Sequence, residues 1–266
     1  MRLHVHEWGD RAAPPVVCVH GVTAHGRRFR KLAEERLAAR FRVLAPDLRG
    51  HGRSDADPPW DLATYVDDLL ETLDDLGVGE AAWVGHSFGG RLVLELAARS
   101  TERIRSAALL DPAIQILPHV GLDFATEAAK DQSYESAEEA VDSRLGSGAP
   151  TPRSFVEEEA LEHLALSTDG RLRWRYCHPA AVTVYSELCR VPPPPSVLAS
   201  VPVLLVHASW FGLVRTEQLE EYERVLGEGL EVIAVDGGHI VYWDAFEETA
   251  DRVEKFLIRH SPVSHA

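Results

Sequence analysis

Cysteine is scarce in this chain. Cys18, Cys177 and Cys189 are the three among 266 residues. Their odd number argues against a disulfide framework, and no CxxC or other metal-ligand spacing is present, so no metal site is expected. Cys18 lies inside an apolar run and reads as a small packing residue. Also missing is any apolar run approaching the roughly 18 residues that span a bilayer. The first ten residues, MRLHVHEWGD, contain nothing apolar enough for a secretory signal. The expectation is therefore a cytoplasmic protein with no membrane span. Positive charge is in deficit, with 27 Lys and Arg against 42 Asp and Glu, a net charge of −15. Such a surface repels nucleic acid and anionic membranes, which leaves a small molecule as the expected partner.

Hydrophobic residues make up 45% of the chain, enough for an ordinary globular core. The length suits one large α/β domain, or a core domain carrying an insertion. Residues 3–8 alternate like an edge strand, and 14–21, 42–48, 81–87, 104–112, 201–209 and 230–238 are short apolar runs that read as buried strands. Helical patterns fall between them: FRKLAEERLAARF, then 62–78 with Leu69, Leu73 and Leu76 on one face, then FGGRLVLELAARS. Strands alternating with helices predict βαβ units and a mostly parallel sheet flanked by helices. Residues 113–200 break the alternation with acidic, helix-prone segments and one charged strand-like piece, RLRWRY. Pro192–Pro195 cannot donate hydrogen bonds within a sheet and reads as a stiff return linker. The expected organisation is a sheet core, 1–112 and 201–266, with a helical insertion at 113–200.

The stretch AWVGHSFGGRLVLELAA, 81–97, carries the chemistry. A strand, Gly-His-Ser-Phe-Gly and a helix in succession are the pattern of a nucleophile elbow. A serine at so tight a turn is held in strained backbone angles, and Gly85 and Gly89 let strand and helix approach closely around it. The Ser87 hydroxyl then stands clear of the sheet edge. The N-terminus of the following helix favours negative charge nearby, and the Phe88 N–H is available to a developing oxyanion.

With that motif the sequence resembles the α/β-hydrolase fold family. The resemblance spans nearly the whole chain through VCVHGV (17–22), PDLRGHGRSD (46–55), VGHSFGG (84–90), LLDP (109–112), VPVLLVHAS (201–209) and GGHIVYWD (237–244). It implies the α/β-hydrolase fold, with 113–200 as a helical lid inserted after the strand ending near Asp111. It also implies a base, His239, in the loop after the last strand. Histidine suits that task because its pKa lies near neutrality. A second oxyanion donor is implied at the Val22 N–H, after the His20-Gly21 pair. His20 orders this loop, and Asp47, Arg49, Gly50, Gly52 and Ser54 match a loop signature that fixes the neighbourhood of the site without taking part in the chemistry.

The acid departs from the usual pattern. Its common place is the loop 207–218, which has Trp210, Phe211 and Gly212 where an aspartate is expected. Some relatives, such as haloalkane dehalogenases, carry it after the strand that follows the nucleophile helix, where this chain has Asp111. Asp111 is the preferred candidate. Asp236, Glu217 or no acid at all are the alternatives.

The resemblance implies a cofactor-free serine hydrolase acting on a carboxylic ester through an acyl-enzyme, with a small apolar ester as partner. Serine at 87 argues against epoxide and haloalkane chemistry, for which the family uses aspartate. C–C bond, lactone or amide hydrolysis, and a non-catalytic ligand-binding role, are the alternatives. His86, Trp174, Tyr185, Trp210 and Phe211 are candidates for lining the pocket, with packing as the other reading of each.

Overall fold

The computed structural model describes residues 1–146, 150–211 and 213–261. The apolar runs become strands: β1 Val5–Trp8, β2 Pro15–Val19, β3 Arg42–Pro46, β4 Ala81–His86 and β5 Ile104–Leu110. Then follow β6 Leu164–Leu166, β7 Leu172–Trp174, β8 Val203–Ala208 and β9 Leu230–Val235. Among the described residues seven of them form the main sheet in the order β1-β3-β2-β4-β5-β8-β9. The edge strand β1 is antiparallel to β3, and the other pairs are parallel. A parallel sheet must be covered on both faces, and the strands are apolar on both. In β2, Val17 and Val19 join the core shared with the helices Leu62–Asp75 and Phe88–Ser100. Val16 and Cys18 join the opposite core, with Phe29, Leu32 and the helix Phe246–Arg259.

The helix expected from FRKLAEERLAARF is not regular. It runs as a 3-10 turn Gly26–Phe29, one α turn Arg30–Leu32 and a π turn Ala33–Leu37. The wider π turn brings Leu32, Ala33 and Leu37 to one buried face. The helix at 62 begins where expected because the Asp61 carboxylate accepts the Thr64 N–H at 2.9 Å.

Between β5 and β8 the chain leaves the sheet. It forms the helices Pro118–Ala128, Ala137–Leu145, Arg153–His163 and His178–Glu187, with β6 and β7 paired as an antiparallel hairpin. This segment has a small core of its own around Tyr134, Val141, Val156 and Trp174. The proline run returns the chain to β8. Pro194, at φ −67° and ψ 153°, is polyproline-like, and a 3-10 turn Pro195–Leu198 follows.

The strand order reverses at β2: the chain moves from β2 to β3 on one side and then to β4 on the other. Such a switch point opens a crevice at the carboxyl ends of the strands. Residues 20–22, 87, 111 and 239 all follow strand carboxyl ends. The Phe88–Ser100 helix packs backbone to backbone against the strands beside this crevice. A methyl at Gly89 would stand 2.0 Å from the Val19 carbonyl oxygen, and one at Gly85 would stand 2.6 Å from the Gly89 carbonyl oxygen. Gly89→Ala should therefore cost about 3 kcal/mol or more of stability, at or beyond the upper end for overpacking, because backbone itself must move. Gly229→Ala, which meets no atom within 4 Å, should change it by less than about 0.5 kcal/mol. Urea unfolding of both variants checks the contrast, and equal losses would contradict it.

Candidate active site

Ser87 sits between β4 and its helix with φ 53° and ψ −116°. It is the helix N-cap, yet its side chain makes no capping hydrogen bond, so the hydroxyl is left for other work. The residue is 8% exposed. The turn is fixed by backbone: Ser87 N–H donates to Leu110 O at 3.1 Å, and its carbonyl accepts from Ala113 N–H at 2.9 Å. The Phe88 N–H lies in the first helical turn, where no intrahelical acceptor exists. The loop after β2 comes alongside. A methyl at Gly21 would stand 3.0 Å from Ser87 Cβ, which places the Gly21-Val22 backbone against the serine. His20 orders this loop from within: Nδ1–H donates to Gly21 O at 2.7 Å and Nε2 accepts from Leu48 N–H at 2.9 Å.

Asp111 follows β5 directly. Its position across from Ser87 comes from the sheet register, which pairs His86 with Leu110. It is fully buried, adopts φ 39°, and is pinned by Asp111 N–H to Val206 O at 2.6 Å and by Ala208 N–H to its own Oδ1 at 3.2 Å. Its other oxygen, Oδ2, accepts from His239 Nδ1–H at 2.5 Å. That bond selects the tautomer of His239 that leaves Nε2 unprotonated. The other carboxylates considered for this task lie elsewhere. Asp236 accepts from Ser209 Oγ and Trp210 Nε1, and Glu217 is exposed on the first turn of the helix Thr216–Leu226.

His86 was expected near the pocket, and it also ties the histidine loop down. Its Nε2–H donates to the His239 carbonyl at 2.9 Å, and the two rings lie 4.6 Å apart. No sequence motif signalled this bond.

Ser87 and His239 line one cavity of about 370 Å³ together with Val22, His86, Tyr185 and Phe211. Two expected lining residues are not there. Trp174 is 5% exposed inside the core of the inserted segment, where Arg144 lies over its ring at 4.3 Å. Trp210 is 61% exposed and holds Asp236 through its indole N–H. Sequence alone could not distinguish these from Phe211, because all three are aromatic residues in segments of irregular polarity. Gly212 lies outside the described residues. Among the described residues no helix is long and apolar enough to cross a membrane.

A profile of the alpha/beta hydrolase fold matches residues 14–145. The chain is 34% identical to Lipase LipV of Mycobacterium tuberculosis over 90% of its own length and 91% of that protein's. It is 26% identical to Esterase YbfF of Escherichia coli over 65% and 66% of the two chains. Among solved structures, that of E-2-(acetamidomethylene)succinate hydrolase superposes with a TM-score of 0.86 at 25% identity, covering 96% of this chain and 95% of the other.

Five imidazoles around the site are held neutral, in each case chiefly by burial. His20 and His86 lie well below the usual histidine range, His25 lies below it, His51 is pushed down to about 4 and His163 to about 3. An unfolded histidine protonates near pH 6.5. Between that pH and the lowered folded values the unfolded chain binds more protons, so stability rises with pH there and these groups add no slope above about 6.5. Both ring nitrogens of His163 lack a partner among the described residues, and its ring stacks on His25 at 3.2 Å. His163→Phe should keep the stack, relieve two unpaired buried atoms and reduce the acid-side slope by about one proton. Urea midpoints measured from pH 7 down to 4 test this, and an unchanged slope would refute it.

Proposed function

Because this chain belongs to the α/β-hydrolase fold family, we propose that it is a serine hydrolase cleaving carboxylic esters through an acyl-enzyme intermediate. The observation that carries the reading is the Asp111 to His239 bond at 2.5 Å, beside the cavity that His239 and Ser87 line together. In this reading His239 Nε2 takes the Ser87 proton while Oγ attacks the ester carbonyl carbon. The Val22 and Phe88 N–H groups hold the resulting oxyanion. The tetrahedral species collapses, the C–O bond to the alcohol breaks, and His239 returns the proton to the departing alkoxide. Water then attacks the acyl-enzyme with His239 as base, which releases the acid and restores the serine. Asp111 keeps the imidazole in the required tautomer and stabilises its cation. None of these steps calls for a cofactor. The segment 113–200 serves as the lid over the core formed by 1–112 and 201–266.

The likeness to a succinate-derivative hydrolase favours a second reading, in which the same residues cleave an amide, lactone or C–C bond.

On a panel of 4-nitrophenyl esters from acetate to palmitate, the protein should turn over at least one chain length and Ser87→Ala should abolish it. Asp111→Asn should lower kcat by roughly 10⁴-fold at neutral pH through the tautomer error. A loss below roughly tenfold would remove Asp111 from this role. Absence of ester turnover with fast fluorophosphonate labelling of Ser87 would favour the second reading, and absence of both would point to a binding protein.

A further inference from the structure

The cavity that Ser87 and His239 line also receives two guanidinium groups, Arg28 from the core and Arg144 from the inserted segment. Both converge on one carboxylate. Arg28 donates from Nε and Nη2 to the two oxygens of Glu159, at 2.8 and 3.0 Å. Arg144 Nε lies 3.3 Å from Glu159 Oε2, and His25 Nε2–H donates to Oε1 at 3.0 Å. Glu159 is thus fully committed, and two cations share a single anion. His25, His86 and His163 add no charge, since burial keeps them neutral. Glu127, which lines the cavity where Glu159 does not, is exposed and faces Lys130. Asp111 is buried against His239 and does not reach the wall.

Asp244 lies close enough to act on Arg28 but touches neither guanidinium, being held by Thr151 Oγ1 and the Ile240 N–H. Two guanidiniums thus have one contacting carboxylate among the described residues, an arrangement in a largely desolvated place that favours an anion. Arg144 is the group exposed to it. Its side chain is 16% accessible against 6% for Arg28. Nη2 donates to Thr23 O at 2.9 Å, and the guanidinium face lies over the Trp174 ring at 4.3 Å, an interaction that leaves its edge open to a carboxylate. The tie to Thr23 also fixes the distance. Thr23 adjoins Val22, so the guanidinium lies within roughly 10 Å of the Val22 N–H.

We propose that the substrate carries a carboxylate, bound by Arg144 with Arg28 in support, separated from the scissile carbonyl by a short chain. This deepens the ester-hydrolase reading of the same site and rests on it for the chemistry. The expected apolar ester becomes the half-ester of a dicarboxylic acid of roughly four to six carbons. A planar guanidinium suits this task better than an ammonium group, because it can meet both carboxylate oxygens.

Two measurements test the proposal, one without turnover. Adipate binding by calorimetry should be at least about tenfold weaker to Ser87→Ala/Arg144→Met than to Ser87→Ala, with Ser87→Ala/Arg144→Lys between them. In kinetics, the active protein should favour mono-4-nitrophenyl adipate over 4-nitrophenyl hexanoate in kcat/KM, and Arg144→Met should lower that ratio by about tenfold or more. Should Arg144→Met fail to fold, the ratio for the unaltered protein and the lysine variant still decide. Arginine-dependent adipate binding without turnover of any ester would sink the ester reading and keep the anion site. Ester turnover with no adipate preference and no arginine-dependent binding would overturn the anion site alone, and the absence of binding and turnover would overturn both.

Discussion

The site depends first on a contact between backbones. The helix after β4 lies so close to β2 and β4 that neither Gly85 nor Gly89 has room for a methyl group. That closeness makes the turn tight, and the tight turn holds Ser87 at a positive φ. A serine capping a helix ordinarily spends its hydroxyl on the first backbone N–H groups. Here it does not, and the Phe88 N–H, in the first turn, has no intrahelical acceptor. One steric constraint thus supplies both an available hydroxyl and a place for negative charge. Everything else in the crevice is arranged around this fixed point by neighbouring strands.

Those strands act as a ruler. Parallel register puts Asp111 beside Ser87 at the sheet edge, and β8 adds two backbone hydrogen bonds that leave Asp111 with one oxygen for His239. His239 is less firmly built, since it sits in a loop and is 28% accessible. Its backbone is anchored by His86, itself next to the serine. The loop is therefore tied to the elbow from two sides, by a carboxylate on its ring and an imidazole on its carbonyl.

At this point the inserted segment meets the core through charge, beside the stack of Phe155 on Trp243. Glu159 of the insertion gathers Arg28 and His25 of the core and Arg144 of its own segment. Breaking such a buried group is costly because each remaining charge loses its partner. The same group fixes one wall of the cavity, so the insertion's position and the cavity's electrostatics come from one set of contacts.

Much of this was legible along the chain. Runs of apolar residues apolar on both faces mark buried parallel strands, and glycines flanking Ser87 mark the elbow, because both are local consequences of sterics and periodicity. Asp111 stood out because the loop at 207–218 has no aspartate where one is expected. Other features had no local signal. Trp174, Trp210 and Phe211 look alike in sequence, yet one packs in a core, one is exposed and one lines the cavity, since burial depends on what folds against each. The meeting of Arg28 with Arg144 and Glu159 joins it to residues more than a hundred positions away, and no spacing rule reaches that far. The sequence by itself determined the sheet, the elbow and the types of reactive group, which depend on neighbours within a few residues. Only the tertiary structure decided which carboxylate faces His239 and what charge the cavity holds, because those depend on distances between separate elements.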